Sequence, residues 1–558
     1  MKNTKLLLCL LFVSSIAFGQ KLPAGPQVLT FHSDVDDTEQ PYGLYIPRNF
    51  DENKKYPLVI MLHGAGSNHR LSLRRVFGKS NGPGETDVET SRVFPEFRDV
   101  DYIVASPFAR GTMGYQGVAE KDVMDVLADV KKRFRIDEDR TYLTGLSMGG
   151  GGTLWIGLTR PDIWAAIAPV CPAPPAGTEE LAGNALNYPA WFHHGDKDQA
   201  VPVAVSRDWT KKLKDLESTV EYTEYPGVNH NSWENAYANG QIFDWFSKFK
   251  RNPFPDRVRY ATHQYKYNKA YWVNIDNVIP GVLAEIDVKF TGPNTLDIKT
   301  AHLTAFTLNL AGHPQYKPGQ PLTVTIDSKK IKTQAADNVS FNMVKGKKGS
   351  EWVNARFEPS ATAKKAGAEG PIGAAMSDRH VYVYGTAGNP SEEELKKRRE
   401  IAETAANWAV YRGEFLGRIM VFPRVLADKD VRPSDFDAAN LVLFGTKETN
   451  TLIDKFSANL PLELNASAVE THGLVYVVPV NNHYVVVNSG LPWWTSTKPG
   501  QGRFVPPNLQ SLGGLKDFLL FQGGNDVKVA EGYFTNDWTT PDDAKPLITG
   551  SGVATVKR

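Results

Sequence analysis

Ser147 sits in Gly145-Leu146-Ser147-Met148-Gly149, with a further glycine run, Gly150-Gly151-Gly152, behind it. A serine hydroxyl is a poor nucleophile near neutral pH, so it needs a base within reach and a third group to orient that base. The chain offers both, in order, downstream. Two carboxylates occur in Gly195-Asp196-Lys197-Asp198-Gln199, and a histidine in Pro226-Gly227-Val228-Asn229-His230-Asn231-Ser232-Trp233. Serine, carboxylate and imidazole together perform acyl transfer through a covalent intermediate, which needs no metal and no organic cofactor.

Such groups react only if the elements carrying them converge. Residues 140–144 read as a short strand and residues 153–158 can open a helix, so Ser147 falls at a strand-to-helix turn. In that turn side chains beside the serine collide with the adjoining strand and helix, which explains the flanking glycines. Residues 56–62 are a continuous apolar run ending in His63-Gly64-Ala65-Gly66, and residues 102–107 are a second such strand. Strands apolar on both faces belong to a parallel sheet. Val123, Val126, Leu127, Val130 and Phe134 fall on one helical face between them and the serine. Residues 164–170, 190–194 and 220–225 are also strand-like, while residues 41–47 alternate as an edge strand does. Asp196 and Asp198 follow one strand end and His230 follows the next. Strand, helix and strand in alternation make a layered α/β domain.

The order serine, carboxylate, histidine at successive strand ends is that of the α/β-hydrolases. The region resembles secreted bacterial esterases related to feruloyl and acetylxylan esterases and polyhydroxybutyrate depolymerases, and is similar to the catalytic domain of the prolyl oligopeptidase superfamily. Four stretches carry the likeness: residues 62–66, 145–150, 194–202 and 227–233, all within residues 27–250. The resemblance places the acid on Asp198 rather than Asp196, and implies that the backbone amides of Ala65 and Met148 form an oxyanion hole. The loop 109–116 and the residue three past His230 supply Tyr115 and Trp233, expected to offer stacking surface to a sugar ring or an aryl acyl group.

The rest of the chain bounds this reading. At 558 residues it exceeds one hydrophobic core. Its 63 lysines and arginines nearly balance 62 aspartates and glutamates, so no basic field argues for nucleic acid. Lys2 and Lys5, the apolar run 6–13 and small residues up to Gly19 read as an export signal over residues 1–19, which places the mature protein in the periplasm or outside the cell. No later stretch is apolar enough to span a bilayer. Without the signal Cys171 is the one cysteine, so neither an intramolecular disulfide nor a cysteine-based zinc site can form.

After Arg251-Asn252-Pro253-Phe254-Pro255 the texture changes. Residues 283–290, 303–310 and 322–327 alternate with period two and no helices intervene, the pattern of a β-sandwich over residues 255–360. Residues 380–386, 419–422, 441–445 and 483–490 read as strands, with a helix opened by a capping box at Ser391 to Glu394, so residues 370–558 form a smaller second α/β domain. The expectation is an α/β-hydrolase domain followed by these two: an exported serine carboxylic-ester hydrolase acting on acyl groups of plant polysaccharide, with no metal and no cofactor. The alternatives are a prolyl oligopeptidase-like peptidase and a glycan-binding scaffold with a vestigial hydrolase domain.

Overall fold

The computed structural model describes residues 22–346, 349–408, 420–481, 483–496, 507–523 and 527–557. The expected export signal lies outside the described residues.

Eight strands build the first sheet: β1 (Gly25–Ser33), β2 (Thr38–Ile46), β3 (Tyr56–Leu62), β4 (Ile103–Pro107), β5 (Ile136–Leu146), β6 (Ala166–Val170), β7 (Ala190–Gly195) and β8 (Val220–Tyr225). Their order is β1-β2-β4-β3-β5-β6-β7-β8. β2 runs antiparallel to both β1 and β4, and every pair from β4 to β8 is parallel. β3 shows why its run is apolar throughout. Leu58, Ile60 and Leu62 join one core layer with Val123, Val126, Leu127 and Val130 of the helix Val118–Arg133, while Val59 and Met61 join the opposite layer with Ile242, Phe243 and Phe246. Mixed β-sheet with helices on both faces is the α/β-hydrolase architecture.

Residues 41–47 are not an edge strand. β2 is second in the sheet, and β1, with its weakly patterned sequence, takes the edge. Gly43, which looks like a solvent-facing position, lies under the helix His69–Val76: a Cβ there would come within 2.9 Å of the His69 carbonyl oxygen. Helix contact, not water, selects the small residue.

Ten strands between Arg257 and Val353 form two five-stranded sheets around a core that includes Ile286, Val288, Ile298, Phe306 and Phe341. Tyr271 and Trp272 are buried in it, each hydrogen bonded to a proline carbonyl, of Pro161 and Pro255 respectively.

A seven-stranded mixed sheet follows, in which Arg424–Ala427, His380–Tyr384, Asn440–Phe444 and His483–Gly490 are parallel and the next three strands antiparallel. Ser391 caps the helix Glu392–Ala406 by accepting from the Glu394 amide, but the Glu394 carboxylate turns to Arg398 at 3.0 Å instead of completing the box. The strand expected at 419–422 begins instead at Arg424, beyond Pro423. Residue 419 is outside the described residues, and 420–422 dock on the first domain. The Met420 carbonyl accepts from Arg110 and the Phe422 amide donates to Asp36. Arg110 is itself fully buried, bonded at 2.7 Å to both Asp36 and Asp122, so two far-separated parts of the chain are joined through one guanidinium.

Candidate active site

β5 ends at Leu146 and the helix Met148–Thr159 starts one residue later, which leaves Ser147 to make the whole reversal at φ 55° and ψ −117°. That is a left-handed strained conformation for a residue with a Cβ. The turn is tight enough that a Cβ on Gly145 would lie 2.3 Å from the Gly149 carbonyl oxygen, and one on Gly149 would lie 2.3 Å from that of Leu62. The glycines let the helix N-terminus press against the ends of β3 and β5. The Ser147 amide donates to the Val170 carbonyl at 2.9 Å, tying the turn to β6 as well.

His230 Nε2 stands 2.9 Å from Ser147 Oγ, and His230 Nδ1 stands 2.7 Å from Asp198 Oδ2. With the Nδ1 proton donated to the carboxylate, Nε2 is left to accept from the serine hydroxyl. The other Asp198 oxygen accepts from the amides of Ala200 and Val201 at 2.8 and 2.9 Å. Burial raises the Asp198 pKa, but the bonds from His230 and these amides outweigh it and hold the carboxyl below its ordinary range. His194 Nε2 is 3.2 Å from Asp198 Oδ2, the oxygen bonded to His230, and is fixed by Ser206 and the Val201 carbonyl. Asp196 has a different task. It accepts from the Gly227 amide at 2.7 Å and so anchors the loop that carries His230.

Ala65 lines the same cavity as Ser147, of about 380 Å³, and Met148 is the first residue of its helix, where an amide has no intrahelical acceptor. Three contacts from the 108–115 loop pin the turn around Ala65. The His63 ring lies 2.8 Å from the carbonyls of Gly64 and Phe108, Thr112 Oγ1 accepts from the Gly66 amide at 2.8 Å, and the Tyr115 hydroxyl donates to the His63 carbonyl at 2.9 Å. Of these supports, Thr112 carries no signal in the sequence, because a threonine in a glycine-punctuated loop looks like any turn residue.

Tyr115 therefore does not face substrate. It is 1% exposed, its ring fills the space over Gly152, and it is not part of the cavity wall. Trp233 is in the wall, edge-on to His230 at 5.5 Å, with the Arg75 guanidinium over its ring at 5.0 Å. A larger cavity, of about 730 Å³, opens between the helix Ala204–Asp215 and the strands of the sandwich, and neither Ser147, Asp198 nor His230 borders it.

Among the described residues one group, Cys171 with Asp198 and His230, brings three potential metal ligands within 4.8 Å of one another. Its chemistry suits an ion poorly. The imidazole and carboxylate are already bonded to each other, and burial pushes the Cys171 thiol up to about 12, which keeps it protonated at neutral pH.

A phospholipase/carboxylesterase family model matches residues 120–243, a span that contains Ser147, Asp198 and His230. Feruloyl esterase D of Neurospora crassa is 22% identical over 182 residues, which are 32% of this chain and 60% of that protein. Among solved structures, a thermostable esterase is 28% identical over 40% of this chain and 63% of its own, with a TM-score of 0.32. A ferulic acid esterase of the anaerobic fungus Anaeromyces mucronatus is 21% identical over 41% of this chain and 92% of its own, with a TM-score of 0.31.

Proposed function

We propose that this α/β-hydrolase cleaves carboxylic esters through an acyl-enzyme on Ser147. The observation that carries the reading is the unbroken chain of hydrogen bonds from Ser147 Oγ through His230 to Asp198, on a serine held in a strained turn. As Ser147 Oγ attacks the ester carbonyl carbon, its proton passes to His230 Nε2. Asp198 keeps the imidazole in the accepting tautomer and stabilises the imidazolium. The amides of Ala65 and Met148 receive the oxygen on which negative charge develops, each worth about 3 kcal/mol of transition-state stabilisation. The tetrahedral intermediate collapses, the alkoxide leaves with the proton from His230, and a water molecule activated by the same imidazole releases the acid and restores Ser147.

The substrates we assign are acyl groups, acetyl or feruloyl, on plant polysaccharide; the feruloyl esterase among the relatives supports that class. Residues 1–19 direct export, and the chain divides into a catalytic domain over 27–250, a sandwich over 255–360 and an accessory α/β domain over 370–558. Turnover of acetylated xylan, a methyl ferulate and a panel of peptide amides tests the reading. Release of acetate or ferulate with no amide cleavage agrees with it, whereas cleavage of amides at comparable rates makes the protein a peptidase.

A further inference from the structure

Arg75 lies on the helix His69–Val76 and turns its guanidinium into the cavity that holds Ser147, with only 11% of its side chain exposed. Each polar contact it makes is long. Ser67 Oγ is 3.4 Å away, Asp87 Oδ1 and Oδ2 are each 3.4 Å away, the Trp233 ring lies against the guanidinium, and Glu234 adds a second carboxylate charge nearby. The adjacent Arg74 is held differently: its Nε finds no partner, but its Nη1 donates to the carbonyls of Thr90 and Val93 at 2.7 and 2.9 Å, bonds shorter than any Arg75 makes. Donors removed from water without close acceptors are costly. Asp87 is likewise half-engaged, taking its short bond, at 2.7 Å, from Asn81 and keeping 42% of its side chain exposed.

A donor and an acceptor joined to each other only by a long ion pair, at 3.4 Å, match a group that both donates and accepts. A hydroxyl does so; a carboxylate would meet Arg75 but be repelled by Asp87 and by Glu234 on the same wall. Little of that wall is apolar beyond Ala65, Leu146 and Trp233, and Trp233 is already flanked by Arg75 and His230. A bulky acyl group finds no apolar slot there.

We propose that Arg75 and Asp87 form a subsite that reads neighbouring hydroxyls on the alcohol part of the ester, which narrows the acetyl-or-feruloyl reading to acetyl: the substrate is a small-acyl ester of a sugar whose adjacent hydroxyls are free. This rests on Ser147 as nucleophile. Each hydroxyl accepts from the guanidinium or donates to the Asp87 carboxylate.

The test compares kcat/KM for methyl 2-O-acetyl-β-xyloside with that for its 3,4-dideoxy analogue, using p-nitrophenyl acetate as a control for the nucleophile. Sites built to bond a hydroxyl reject the analogue lacking it strongly, so the full-length wild-type enzyme should prefer the diol by about 100-fold or more. In Arg75→Met and in Asp87→Asn that preference should shrink by at least about tenfold, and Arg75→Lys should recover only part of it, since an ammonium lacks the fork. A wild-type enzyme that turns over p-nitrophenyl acetate but treats both sugars alike overturns the subsite and leaves the serine mechanism standing. So do variants that keep the wild-type preference. A wild-type enzyme inert toward p-nitrophenyl acetate and both sugars removes the nucleophile reading on which the subsite rests.

Discussion

The Tyr115 hydroxyl donates to the carbonyl oxygen of His63 at 2.9 Å, and so a buried tyrosine from one loop fixes the turn that presents Ala65 to the nucleophile. Tyr115→Phe leaves that carbonyl, buried beside the sheet, without this donor, which should lower stability by about 1–2 kcal/mol. Because the turn serves any ester, kcat should fall to a similar degree for acetyl and aryl substrates with KM little changed. Kinetics on both, with thermal unfolding alongside, checks this. A rise in KM confined to aryl esters would instead mean that the ring touches substrate.

Ser147→Ala and His230→Ala should each remove about 10⁴-fold or more of kcat, and the double variant should be hardly worse, because the groups act as a unit. Multiplying losses in the double variant would separate the two residues into independent roles.

Asp198→Asn should lower kcat by about 10³- to 10⁴-fold, since the amide cannot hold the accepting tautomer of His230. Asp196→Asn keeps an oxygen for the Gly227 amide and should cost less than about tenfold. Steady-state kinetics of the two variants decides the matter, and the reverse ranking would move the acid to Asp196.

The positions of Ser147, Asp198 and His230 are legible in the sequence because each follows a strand-like run in the chain order of a serine hydrolase, and because the glycines flanking Ser147 mark a sharp turn by themselves, although the backbone that requires Gly149 to be small, the Leu62 carbonyl, lies far off in sequence. Tyr115 is misread for the opposite reason. An aromatic residue between glycines looks like an exposed loop residue until Gly152, on a separate helix, is seen to make room for its ring. The 420–422 segment fails as a strand through a partner 310 residues distant, Arg110, which no local pattern reveals. Gly43 misleads similarly, since the helix above it follows two loops and a strand later. Arg75 and Asp87 meet across the stretch that follows the helix His69–Val76, where charge alone does not tell a solvated face from a cavity wall.

Glu369 offers a pH-dependent prediction. Burial raises its carboxyl, the amides of Lys266 and Tyr265 and the charge of Lys364 draw it partly back, and it comes to rest at about 7. A folded pKa above the unfolded value means that stability is complete below about pH 4.3 and is lost as pH rises towards 7, by about 4 kcal/mol at most. The Tyr484 hydroxyl, which accepts from the Glu369 amide, and the buried Lys364–Asp517 pair surround this junction of the sandwich and the last domain. Denaturant unfolding between pH 5 and 8 should show a decline in the wild-type protein that is flatter in Glu369→Gln, even though the variant starts less stable. Equal slopes would assign the pH dependence elsewhere.

The most direct measurement is covalent labelling of the full-length folded protein with a fluorophosphonate, followed by peptide mass spectrometry. An activated serine attacks phosphorus and displaces fluoride, so one adduct should appear on the peptide that contains Ser147, vanish in Ser147→Ala, and form far more slowly in His230→Ala. An unlabelled wild-type protein, or undiminished labelling in Ser147→Ala, would contradict the assignment of Ser147 as the nucleophile.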